Sequence, residues 1–161
     1  MARSILLLVL IVAAALASES TTKNPPAKCN LVRRADLKTL SNGKKYSFHL
    51  TFKNWNTANE TCASHGLNVA TIRDQNDASS VWAESEKIDE GAWWVSARKE
   101  GNVFKWSDGT VLPLDSPLWN KHADKADDCV LMFNYGQGGK LDTGKCTALW
   151  NFVCELPTEC Y

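Results

Sequence analysis

Residues 127–154 read DDCVLMFNYGQGGKLDTGKCTALWNFVC, and this stretch decides how the chain is stapled. It holds three of the six cysteines, Cys129, Cys146 and Cys154, and closes on the hydrophobic strand Ala148-Leu149-Trp150-Asn151-Phe152-Val153. Cys146 stands eight positions before Cys154. An extended segment rises ~3.3 Å per residue, so these two lie far outside disulfide reach of each other. Each must look elsewhere, Cys146 most simply to Cys129 and Cys154 to a distant partner. The stretch is therefore the hub of a disulfide-stapled domain.

The chain opens with one positive charge at Arg3, an apolar run from Ile5 to Leu16, and small residues at Ala15 and Ala17. This is the pattern of a secretory signal cut after Ala17, spanning residues 1–17. The run falls short of the ~20 residues that a bilayer core requires, and no other segment reaches that length, so no membrane span is expected. Residues 18–28 carry two adjacent prolines and no apolar face and read as a flexible leader. Residues 29–161 are one domain, long enough to bury a genuine core. Six cysteines in an exported chain read as three disulfides. Losing Arg3 with the signal leaves one basic side chain fewer than the 18 acidic ones. That near-neutral balance argues against nucleic acid and against anionic membrane as a general partner. The seven tryptophans imply large buried areas and indole N–H groups that need acceptors.

Within the domain, Lys45 to Leu50 alternates like a strand. Thr51 to Gly66 reads as a helix with Trp55, Ala58 and Cys62 on one face and Gly66 suited to the position after its end. Leu67 to Ala70 is a short bridge. Asp74 to Lys87 reads as a second helix, capped by Asp74 or Asn76, with Ala78, Val81 and Trp82 inward. Strands follow: Trp93 to Ser96 is a buried run, and Val103 to Trp106 alternates before the tight-turn signal Ser107-Asp108-Gly109. The alternation places Trp93, Trp94, Trp106 and Trp150 in the core. Thr110 to Asp128 is a long polar segment with little periodicity, the kind of loop that carries function in a compact domain.

Taken together, Trp55-x-x-Ala58-x-x-x-Cys62, Gly66-Leu67-x-Val69-Ala70-Thr71-Ile72, Trp94-Val95-Ser96-Ala97, Phe104-x-Trp106-Ser107-Asp108-Gly109, Asp127-Asp128-Cys129-Val130 and the closing Phe152-Val153-Cys154-Glu155 form an ordered set. In that order the chain resembles a C-type lectin-like domain of the single-domain secreted kind common in insects, over Tyr46 to Leu156. The resemblance implies an α+β fold: two helices, antiparallel sheets and a long loop region. It also implies the bridges Cys62–Cys154 and Cys129–Cys146. Cys29 and Cys160 are left over. A bridge between them, closing the domain into one loop, is predicted, and the rival is a bond to a second chain, so the protein is a monomer or a dimer.

Sugar-binding members of the family hold a calcium ion in the long loop through hard oxygen ligands. Against that pattern, Ala123-Asp124-Lys125 stands after Trp119 where the family has E-P-N or Q-P-D, so the proline is missing and a lysine replaces an oxygen ligand. Asp127 survives before Cys129, and the W-N-D position reads Leu141-Asp142-Thr143. Asp124, Asp127, Asp128 and Asp142 are the candidate metal ligands. They fall short of the 6–8 oxygens calcium takes, so any calcium affinity is expected to be weak or lost. The candidate ligand-binding residues on the loop face are Trp119, Asp124, Lys125, Asp127, Asp142 and Thr143.

Asn59-Glu60-Thr61 is an N-glycosylation sequon. His49, His65 and His122 have no zinc spacing, although His122 sits on the loop where a ligand would come, and Arg33-Arg34 reads as solvated charge or a processing site. No nucleophile–base pair or phosphate-cradling loop is present, so the chain is read as non-enzymatic. Two functions compete. One is a secreted recognition protein that binds carbohydrate on microbial or host surfaces in innate immunity. The other is a calcium-independent protein-binding module of the same fold, acting in immunity or haemostasis. Either would use the long-loop face.

Overall fold

A computed structural model describes residues 27–32, 37–133 and 138–161. The secretory signal, nearly all of the leader, and Arg33-Arg34 lie outside the described residues. The strands are β1 (Lys38–Thr39), β2 (Lys45–Lys53), β3 (Asn68–Val69), β4 (Trp93–Glu100), β5 (Val103–Lys105), β6 (Val111–Leu112), β7 (Cys129–Phe133), β8 (Lys140–Gly144) and β9 (Trp150–Glu155). Two helices, α1 (Trp55–Ser64) and α2 (Gln75–Ile88), complete the fold. The architecture is the α+β, disulfide-stapled fold that the resemblance implies.

One path through the sheet runs β1-β2-β9-β4-β5-β6, with β3 paired to β9 and the β7–β8 hairpin paired to β4. The contact between β4 and β9 is parallel and all the other strand pairs are antiparallel. Trp93 and Trp94 show how the pleat divides the core. Successive strand residues point to opposite faces, so Trp93 packs with Val81 and Trp82 of α2, while Trp94 packs with Trp55, Ala58 and Cys62 of α1. Buried indoles need acceptors, and backbone carbonyls supply them: Trp55 donates to Val95 at 2.9 Å, Trp93 to Asp89 at 3.1 Å, Trp94 to Lys53 at 2.9 Å.

Three intrachain disulfides fasten these layers. Cys62–Cys154 ties α1 to β9, Cys129–Cys146 closes the β7–β8 hairpin at its base, and Cys29–Cys160 joins the two ends of the domain. Their Cα separations of 5.4, 5.6 and 5.1 Å for Cys29–Cys160, Cys62–Cys154 and Cys129–Cys146 are ordinary for such bridges. No cysteine among the described residues is free.

Three expectations are corrected. The first helix does not start at Thr51, because Thr51 to Lys53 belong to β2 and Lys53 pairs with Trp150 of β9. Asn54 is the cap, its side-chain oxygen accepting from the Thr57 N–H at 2.9 Å, and this fixes the start at Trp55. Trp150 is not core but 36% exposed. It lies at the first position of β9, beyond the register shift between His49 and Lys53, where the sheet ends. The long segment after Thr110 is not wholly irregular, since β6 and a bridge between Trp119 and Leu141 lie within its reach.

Candidate functional site

The long loop is built on a buried underside. Leu118, Trp119 and Asn120 are almost wholly covered, at 5%, 6% and 3% exposure. Their backbone forms a short ladder with β8: the Asn120 N–H donates to the Leu141 carbonyl at 2.8 Å, and the Leu141 N–H to the Leu118 carbonyl at 2.9 Å. The Trp119 indole donates to the Pro113 carbonyl at 2.8 Å, and its ring meets Phe104 of β5 edge-on with centroids 5.2 Å apart. Trp119 is therefore the floor of the loop, buried beneath it. Cys129–Cys146 and a 2.7 Å bond from the Lys99 N–H to the Asp128 carbonyl hold the point where the loop re-enters the sheet.

Above this floor lies Lys125, the one non-glycine among the described residues with positive φ, at +57°. That region is sterically unfavourable for a residue with a Cβ. Its ammonium lies 5.2 Å from the centroid of the Trp119 ring and donates to the Ala123 carbonyl at 3.2 Å. Lys99, on β4, reaches the same place from below. Its ammonium lies 5.7 Å from the Phe104 centroid and donates to the Lys125 carbonyl at 3.4 Å. Sequence reading missed Lys99 because the strand was expected to stop at Ser96. Extending the odd-numbered alternation of Trp93, Val95 and Ala97 by one more step would have found it.

The other candidates are spread around this centre. Asp124 is exposed, and its carboxylate accepts from the Ala126 N–H at 3.0 Å, closing a local turn. Asp127 is half-buried and Asp128 exposed. Asp142 is half-buried and accepts from the Thr143 N–H at 2.8 Å, while the Thr143 hydroxyl is buried without a hydrogen-bond partner among the described residues. Lys121 and His122 are exposed at the loop tip.

Residues 51–156 match the family model of the lectin C-type domain. The chain belongs to the C-type lectin domain family. It is 27% identical over 147 residues to the secretory phospholipase A2 receptor of Bos taurus; that match takes in 85% of this chain and only 10% of the length of the receptor. Among solved structures, the C-type lectin TC14 of the tunicate Polyandrocarpa misakiensis is 25% identical, with a TM-score of 0.61 over 70% of this chain and 96% of TC14. Human lithostathine shares the fold at 18% identity, with a TM-score of 0.67 over 87% of this chain and 99% of lithostathine.

The calcium ion that the C-type lectin resemblance implies does not fit the residues present here. Among the described residues no group of three or more His, Cys, Asp or Glu side chains could hold a metal ion, so Asp124, Asp127, Asp128 and Asp142 do not form a ligand set. The physical reason lies in the backbone. Asp124 is turned into its own Asx turn, and the next residue, Lys125, places an ammonium on the loop floor where a dication would meet repulsion.

A second polar region lies at the far end of the sheet. Glu155 lines two adjoining clefts of about 280 and 310 Å³, with Lys44 and Tyr161 on one and Asn68, Thr71 and Asp108 on the other, and Arg73 shared between them. Burial pushes its carboxyl up to about 7, against the opposing pull of a Thr71 hydrogen bond and the charges of Lys44 and Arg73. Asp108 is held down at about 2, first by the Thr110 hydroxyl and then by the Thr110 N–H and Arg73, whose guanidinium it meets at 2.6 Å.

Proposed function

We propose that this chain is a secreted recognition protein that binds carbohydrate on microbial or host surfaces, in innate immunity, through its long-loop face and without a calcium ion. Membership of the C-type lectin domain family supports the recognition role. Three disulfides support an extracellular address. No helix among the described residues is long and apolar enough to cross a membrane. The observation that carries the metal-free part is the seat of the Lys125 ammonium over Trp119, on the Ala123 carbonyl. The loop already has a cation of its own at its centre.

A glycan array probed in calcium and again in chelator tests the reading. Saccharide binding that survives the chelator is the expected outcome, and binding lost on chelation would overturn it. A second reading, the calcium-independent protein-binding module, is favoured by Val111 and Leu114. These apolar side chains are 53% and 56% exposed where the chain enters the loop. A silent array together with capture of a protein partner would select that reading.

A further inference from the structure

We infer that Lys99 and Lys125 form a clamp for an anionic group, a sulfate or a carboxylate, carried by an acidic saccharide. The inference rests on the sugar-binding reading of the long-loop face and names the class of sugar.

The first support is charge. Five ion pairs among the described residues engage Lys38, Lys44, Arg73, Lys87 and Lys105. Neither Lys99 nor Lys125 is in an ion pair among those residues, although Asp124, Asp127 and Asp128 lie on the same loop. The second is unmet donor capacity. An ammonium carries three N–H donors, and each of these two has one bond to a carbonyl, Lys99 to Lys125 and Lys125 to Ala123. Both residues are half-buried.

The third support is preorganisation. Each ammonium rests on an aromatic ring, at 5.7 Å for Lys99 and 5.2 Å for Lys125. The two rings, Phe104 and Trp119, are themselves packed edge to face. The Lys125 carbonyl links one lysine to the other. Two long side chains that would ordinarily lose rotamer freedom on binding are therefore placed in advance. The fourth is backbone strain. Lys125 is held at a φ of +57°, which a residue with a side chain adopts at a cost, and such strain collects at working sites. A glycine there would remove the strain and the charge together. On the same loop, exposed Lys121, His122 and Asp124 carry the donors and acceptors that sugar hydroxyls require.

The test uses the full mature chain on an array that carries neutral saccharides beside their sialylated and sulfated counterparts, all in chelator. Retention of acidic members over their neutral counterparts is expected, and the sialylated and sulfated arms tell carboxylate from sulfate. Lys125→Gly, which suits the local backbone, and Lys99→Met, which keeps the apolar stem, should each weaken that retention at least about tenfold, while Lys53→Met, on β2, leaves it unchanged. Thermal melts establish that each variant is folded. Equal retention of neutral and acidic members, or folded Lys125→Gly and Lys99→Met variants that bind like the parent, would overturn the clamp while leaving metal-free sugar binding intact. Binding that needs calcium, or a silent array, would overturn both.

Discussion

Burial at the end of β9 raises the Glu155 carboxyl to about 7, against 4.5 for an ordinary glutamate. The folded chain thus holds this proton more tightly than the unfolded chain does. The contribution of Glu155 to stability is greatest below pH 4.5 and declines as the pH rises toward 7, because the folded state must then bury a charge. Replacing it by Gln removes that penalty. Measured against the parent, the melting temperature of Glu155→Gln should be little changed or lower at pH 5, and should gain on the order of a few degrees between pH 5 and pH 8. Parallel curves for the two proteins across that range would show that Glu155 is not so buried. Asp77 acts with the opposite sign. Burial pushes its carboxyl up, but bonds from Lys44, the Arg73 N–H and Asn42 outweigh this and hold it below 3.8, so its stabilisation is lost in acid. Neither behaviour was legible in the sequence. Glu155 follows Cys154 as part of a recognisable pattern, but its environment is assembled from Lys44, Thr71 and Arg73, which come from distant turns of the chain.

At the scale of elements, much of the architecture was legible because hydrophobic period and cysteine spacing are local signals. The Trp55, Ala58, Cys62 stripe and the Asp74 cap led directly to α1 and α2. What escaped was set by neighbours in space. Thr51 to Lys53 continue β2 because Trp150 is there to pair with Lys53, and Trp150 is exposed because the sheet ends there. The loop floor has the same character: Trp119 could be recognised as the loop tryptophan, but Lys99 lies on another strand. The Cys129–Cys146 bridge is the covalent tie where the loop re-enters the sheet. With a sequence separation of 17, it constrains the unfolded chain by about 3 kcal/mol in the chain-entropy picture. Replacing both cysteines by Ser should cost about that much and should raise amide exchange selectively from Pro113 to Asp128, with α1 still protected by Cys62–Cys154. Uniform exchange across both regions would mean that the bridge serves the whole fold and not the loop.

For the molecule as a whole, Cys29–Cys160 is the closing bond. It joins two 3-10 turns, Ala27–Leu31 and Thr158–Cys160, across a sequence separation of 131. The entropy of closing a loop grows only with the logarithm of its length, so this bridge is worth about 5 kcal/mol in the same picture, not eight times the value of the shorter one. It is also separate from the long-loop face proposed for recognition. The bonds that position the loop run through Trp119, Asn120, Leu141, Lys99 and Phe104, and none involves a residue of either turn. Two measurements follow from this division of labour. On a non-reducing gel the protein should run at monomer mass, since every described cysteine is satisfied within the chain. A variant with Ser at positions 29 and 160 should lose about 2–5 kcal/mol in denaturant while its affinity at the long-loop face stays within about twofold of the parent. A dimer band that disappears on reduction would place these cysteines between chains. A folded variant that no longer binds would mean that the ends of the chain and the loop are coupled through the sheet, and the closing bond would then belong to the recognition machinery.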